Sequence, residues 1–234
     1  MFDEIKEKAN NFARKNKKTI SKKLTDTNIF PSETNPISIF MAGSPGAGKT
    51  EFSKRLVEFL ERNNNKKFIR IDPDDLRSLF EDYEGFNSFL FQSAVSIITD
   101  SIHDSALKQN QNFIFDGTFS KYEKSKINII RSINKNRKIE IFYIYQDPLL
   151  SWDFVKKREE KEGRKIRKED FINHFLNSKI VTNRIKKEFG DKVELTLIIK
   201  NNNSLSQKTL QEVENIDNYI KDYYSFVTLK NMIN

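Results

Sequence analysis

Gly43-Ser44-Pro45-Gly46-Ala47-Gly48-Lys49-Thr50 constrains this chain more than any other run in it. It matches G-x-x-x-x-G-K-[ST] in the context that pattern requires. An apolar run, residues 37–42, leads in, and a helical pattern with Phe52, Leu56, Phe59 and Leu60 on one face leads out. The glycines let the backbone curl so that its N–H groups point at phosphate oxygens, and the following helix adds its positive end. Lys49 is expected to reach the β- and γ-phosphates and Thr50 to hold magnesium through its hydroxyl. Residues 43–51, Glu51 included, are the expected nucleotide-binding segment.

Strand-like runs at 37–42, 68–71, 113–115, 139–145 and 193–199 alternate with helical patterns. That alternation predicts an α/β fold: a five-stranded, mostly parallel sheet wound on both faces. Ligands of such sheets bind beyond the carboxyl ends of the strands. The glycine loop, Asp72 with Asp74, and Asp116-Gly117-Thr118 all fall at such ends, so three polar clusters converge on one rim. Residues 36–200 read as the core, with a helical lid at about 149–190. Residues 1–35 read as an amphipathic helix, carrying Phe2, Ile5, Ala9, Phe12 and Ala13 on one face, and a linker. A long helical region carrying Phe86, Phe89, Ile98 and Ile102 is expected after the second strand, and a last helix at about 205–222 within a C-terminal segment, 201–234.

Composition narrows the chemistry. The chain has 234 residues, 37% hydrophobic and 32% charged, which predicts a soluble globular protein. No apolar run approaches the ~20 residues that cross a bilayer, and the N-terminus shows neither an apolar core nor a cleavage site, so a cytoplasmic location is expected. Cysteine is absent, which excludes disulfides, thiolate nucleophiles and Cys-ligated zinc. With only His103 and His174, a histidine metal site is not expected; the expected metal is held by oxygen ligands and phosphates. The net charge of +8 suits nucleic acid, anionic membrane and phosphorylated small molecules alike, and chooses among none of them.

Elimination favours a kinase. Asn134-Lys135-Asn136-Arg137 lacks the carboxylate of a guanine-specificity motif. Asp116 is followed by Gly117 rather than by the glutamate that motor-type ATPases use. A kinase needs an acceptor-binding carboxylate and a basic lid. Asp72-Pro73-Asp74 supplies the first: Asp72, followed by proline, suits a helix cap, leaving Asp74 free to take the proton of an attacking hydroxyl. Arg158 and Arg164, among Lys156, Lys157, Lys161, Lys165 and Arg167, are the candidate lid cations. Interleaved acids leave open, for any one arginine, a solvated helix face instead.

FMAGSPGAGKTEFSKRL, then IDPDDLR, then FDGTF, then Arg158 and Arg164, resemble the zeta-toxin family of bacterial toxin–antitoxin systems over residues 36–190. The resemblance implies a P-loop kinase, akin in fold to shikimate kinase, that uses ATP and magnesium to phosphorylate the 3′-hydroxyl of UDP-N-acetylglucosamine. The family's proton acceptor corresponds to Asp74 and its sugar-contacting acid to Asp100, with Arg77 and Thr118 also on the substrate side. Its catalytic arginines correspond to Arg158 and Arg164, with Arg167 a near alternative to the second. Where well-known members carry an arginine, this chain has Ser120, and Asp100 and Asp116 replace longer glutamates. These departures touch the acceptor rather than the ATP side.

The resemblance also implies a small helical antitoxin that covers the ATP site. The N-terminal helix could take that place intramolecularly or simply complete the core. Other acceptors, including another nucleotide, an antibiotic or an RNA 5′ end, stay open, as does a nucleotide-dependent regulatory protein without an acceptor.

Overall fold

A computed structural model describes residues 2–64, 66–200, 207–221 and 223–233. Helix α1 (Phe2–Leu24) precedes β1 (Ile37–Ala42), α2 (Lys49–Asn64) and β2 (Phe68–Ile71). Then follow α3 (Gln92–Lys108), β3 (Asn112–Phe115), α4 (Tyr122–Ile133) and β4 (Lys138–Tyr145). Helices α5 (Pro148–Glu162) and α6 (Lys168–Phe189) lead to β5 (Glu194–Lys200), β6 (Gln207–Leu210) and α7 (Phe226–Met232).

The strands form one sheet in the order β2-β3-β1-β4-β5-β6. β1 to β5 run parallel and β6 runs antiparallel to β5. The central strand β1 is buried from Ser38 to Ala42, as an all-parallel core with helices on both faces demands. On one face α1, α3, α4 and α6 share a core with Phe40, Phe113 and Leu195. On the other, Phe52, Leu56 and Leu60 of α2 cover Ile39, Met41 and Ile144. A third cluster joins Trp152 and Val155 of α5, Phe171 and Phe175 of α6, and Leu229 of α7. That cluster anchors the α5–α6 hairpin, which is the expected lid.

Three expectations are corrected. The sheet has six strands, not five. The helix expected at 205–222 is absent where described: β6 covers the open edge of β5, and Val213, Ile216 and Ile220 reach the core from irregular chain and a short 3₁₀ turn. Their spacing is helical, but an unpaired parallel edge recruits backbone partners. Residues 205, 206 and 222 of that stretch lie outside the described residues. The long helix after β2 is broken into 3₁₀ turns at Asp75–Leu79 and Ser88–Phe91, and only then does α3 begin. Asn87 accounts for the break: its side chain accepts from the Glu84 N–H at 3.0 Å and donates to the Asp82 carbonyl at 2.8 Å, competing with helical hydrogen bonds.

Helix α1 completes the core. Ala9 and Ala13 are buried, Phe12 packs on Phe80 with ring centroids 5.5 Å apart, and Ser21 meets Ser101 of α3 at 3.2 Å. No helix of the described residues is long and apolar enough to cross a membrane.

Candidate active site

The loop leaves the central strand and is pinned on both sides. Gly43 has φ +134°, and a Cβ there would strike the Ile144 carbonyl of β4; Gly46, at φ +75°, would strike the Ser151 carbonyl of α5. Both positions need glycine for close backbone approach as well as for their dihedrals. The Gly43 N–H donates to the Thr118 carbonyl at 3.2 Å, tying the loop to the end of β3. Ser44 and Ala47 are buried, Pro45 and Gly48 half-buried, and Glu51 exposed on the first turn of α2. Thr50 is half-buried at the second position of that helix.

Lys49 is buried and donates to the Ser44 carbonyl at 2.6 Å. Burial draws its ammonium down to about 8, against the opposing pull of Asp116, Asp74 and Asp72. All three carboxylates therefore face this one lysine. Lys200, at the end of β5, donates to the Gly48 carbonyl at 3.3 Å and adds a second cation beside the loop.

The acids are held differently. Asp72 accepts from the Asp74 N–H at 2.8 Å and from Arg70 at 2.6 Å; the first is an Asx turn rather than the expected helix cap, because Asp74 itself holds the cap position of the 3₁₀ turn that follows. Arg70 also donates to Asp116 at 3.1 Å, while Ser53, one turn after Thr50, donates to the same oxygen at 2.7 Å. Burial, with Asp116 and Asp74 nearby, pushes the Asp72 carboxyl up to about 6. Asp74 makes no capping bond. Its two oxygens accept instead from Arg77 and from Arg164 on the turn between α5 and α6, with Arg158 of α5 3.7 Å away. Burial raises the Asp74 carboxyl, but Arg164, Arg77 and Arg158 outweigh it and hold the group below its usual range. Arg167 is exposed and bonds Asp170 at 2.7 Å, so of the two candidate arginines it is Arg164 that reaches Asp74.

Beside this cluster a cavity of about 140 Å³ opens among Thr118, Phe119, Ser120, Lys121, Lys124 and His174. The hydroxyls of Thr118 and Ser120 lie 2.9 Å apart, and Ser120 meets His174 Nδ1 at 2.7 Å. Asp100 is half-exposed on α3 and pairs with Lys124 at 3.4 Å, so it stands one residue back from this cavity. A second cavity, about 280 Å³, opens at the opposite end of the sheet beside Arg137 and Lys192, away from the loop.

Sequence reasoning missed Arg70, His174 and Lys200. Arg70 carried a signal: it lies two residues before Asp72, hence on the same side of an extended chain. Lys200 carried one as well, since it ends the strand expected at 193–199 and strand ends form the rim; His174 carried none, because only the packing of α6 brings it there.

A parallel sheet with β1 between β3 and β4, a glycine loop entering α2, and a helical hairpin whose arginine meets a strand-end aspartate define a P-loop kinase fold. A family model for zeta toxins matches residues 20–210. The chain belongs to the zeta-toxin family. It is similar in structure to the PezAT chromosomal toxin–antitoxin system of Streptococcus pneumoniae, at 18% identity and TM-score 0.61 over 97% of this chain and 86% of that one. It also resembles the AvrRxo1-ORF1:AvrRxo1-ORF2 complex with sulphate ions, at 18% identity and TM-score 0.64, covering 92% of this chain and 70% of that one. The AvrRxo1-ORF1:-ORF2 structure with ATP gives 17% identity and TM-score 0.63 at the same coverages.

Proposed function

We propose that this chain is an ATP-dependent kinase that transfers the γ-phosphoryl group to the 3′-hydroxyl of UDP-N-acetylglucosamine, acting as a toxin against peptidoglycan synthesis and restrained by an antitoxin partner. The observation that carries the reading is the meeting of Asp74 with Arg164 and Arg158 beside Lys49 and the glycine loop. The family membership, a similar structure with ATP and similar toxin–antitoxin structures support it.

In this reading the loop N–H groups and Lys49 hold the β- and γ-phosphates. Asp74 takes the proton of the acceptor hydroxyl as its oxygen bonds to the γ-phosphorus and the bond to the β-phosphate bridging oxygen breaks, releasing ADP. Arg164 and Arg158 turn from the carboxylate to the equatorial oxygens, where charge accumulates. Magnesium fits the residues present. No group of three or more His, Asp or Glu residues among those described forms a cage, yet Thr50, Asp72 and Asp116 offer oxygen donors beside the expected phosphates, the arrangement this ion favours. When bound, it would neutralise phosphate charge during transfer.

The test is phosphoryl transfer from labelled ATP with magnesium to UDP-N-acetylglucosamine, with the product's phosphate located by NMR. The expected result is a 3′-phosphate that disappears in Asp74→Asn while ATP binding persists. Transfer to a different acceptor alone overturns the named sugar nucleotide, and absence of ATP binding overturns the kinase.

A further inference from the structure

The cavity beside the phosphate loop has three kinds of wall. Phe119 supplies an apolar ring, 6.0 Å from that of Phe40. Thr118, Ser120 and His174 form a hydrogen-bonded chain along one side. Lys121 and Lys124 supply cations. At about 140 Å³ the space is well below the roughly 300–1,000 Å³ of a drug-sized ligand site, so it suits one ring of a larger molecule. An apolar ring face, neutral hydrogen-bonding groups and ammonium groups together match a phosphorylated sugar: carbon–hydrogen face, hydroxyls and phosphate respectively.

Phe119 holds a left-handed backbone, φ +55°. For a bulky side chain that conformation is strained, and such strain gathers where a ligand is clamped. His174 arrives from α6, the helix that begins just after the lid turn bearing Arg164. Its Nδ1 is engaged by Ser120, which leaves Nε2 as the ring nitrogen for a ligand. Burial, with Lys49, Lys121 and Arg164 facing it and only Asp170 opposing, keeps its ring below the usual histidine range. The imidazole is therefore neutral at pH 7, able to read a hydroxyl rather than to grip a phosphate.

We infer that His174, oriented by Ser120, is a specificity-determining residue that hydrogen-bonds a hydroxyl or amide of a phosphorylated-sugar acceptor through Nε2. The inference deepens the kinase reading above and rests on it for the word acceptor. Because His174 rides on α6, lid position and acceptor binding are joined in one helix.

The experiment titrates wild type, His174→Ala, His174→Gln and Ser120→Ala with UDP-N-acetylglucosamine and with glucosamine 6-phosphate by calorimetry, in the presence of a non-hydrolysable ATP analogue, and measures transfer in parallel. At least one of these probes is expected to bind wild type. His174→Ala should weaken it about tenfold, with affinity for the ATP analogue unchanged, while His174→Gln, which keeps a neutral donor and acceptor, restores most of the loss. An unchanged probe affinity in His174→Ala, an equal loss for probe and ATP analogue, or failure of both probes to bind wild type overturns the inference. Binding through His174 without transfer would overturn the kinase and leave the site; transfer insensitive to His174 would do the reverse.

Discussion

Arg164 donates to Oδ2 of Asp74 from 90 residues away, and Arg77 occupies the other oxygen. The group proposed to take the acceptor proton is thus covered by the cation proposed to stabilise the phosphoryl group. One cannot act until the other moves, and the phosphates of ATP are the stronger bidentate partner for a guanidinium.

Arg164→Ala should lower kcat by about 10²–10³-fold, the scale of a lost charge-stabilising donor. It should also move the acid limb of the kcat/KM profile, which reports the free enzyme, upward. The arginines hold the Asp74 carboxyl down, so removing one lets that pKa rise, and the base becomes protonated at higher pH than in wild type. Steady-state kinetics across pH reads both effects.

Asp74→Asn leaves Arg164, Arg77 and Arg158 facing one another without their carboxylate. Thermal denaturation should show a lower Tm without nucleotide. Addition of ATP should raise Tm by more in Asp74→Asn than in wild type, because the phosphates supply the missing negative charge. An equal or smaller ligand-induced rise counts against the shared arginines.

Lys49 titrates at about 8 in the ATP-free protein. It is charged below that pH and neutral above it, so ATP affinity should hold below pH 8 and fall at higher pH, by at most about tenfold per pH unit. Calorimetry in buffers of different ionisation enthalpy should detect proton uptake on binding above pH 8. Lys49→Met should bind ATP weakly and without that pH dependence.

His103 lies buried against Phe113 and Phe115, with ring centroids 4.9 and 5.4 Å away. Burial, reinforced by Arg131 and Arg137, lowers its pKa to about 3 from the ordinary 6.5. The folded protein keeps this ring neutral while the unfolded chain takes a proton below pH 6.5. Stability is therefore full above that value and falls as pH drops towards 3, by about 2 kcal/mol between pH 6.5 and 5. Urea denaturation of His103→Leu should show a shallower decline over that range.

Deletion of residues 2–24 should lower Tm by exposing the face of α3 that Ala9, Ala13 and Ser21 cover. The expected effect is on folding rather than on the phosphate loop, since α1 packs against α3 and the turns that precede it. Tighter ATP binding by a folded truncated chain would instead favour an intramolecular cover.

The glycine loop, the strand ends at Asp72, Asp74 and Asp116, and the helical stretch at about 149–190 were legible because each is written locally. Glycine at forced dihedrals, apolar runs of strand length and helical apolar spacing all act over a few residues. The sixth strand was not, because Val213, Ile216 and Ile220 carry helical spacing while the open edge of β5 lies elsewhere in the chain. Nor could the residues alone separate Arg164 from Arg167: both flank the same lid turn, and the choice depends on which side chain reaches Asp74 once the hairpin packs. His174 reached the rim by the same route, through the packing of α6. Local propensity and period set the elements and the loop, whereas the pairing of charges was decided by tertiary packing, because an ion pair depends on distance in space and a buried carboxylate takes whichever cation the fold delivers.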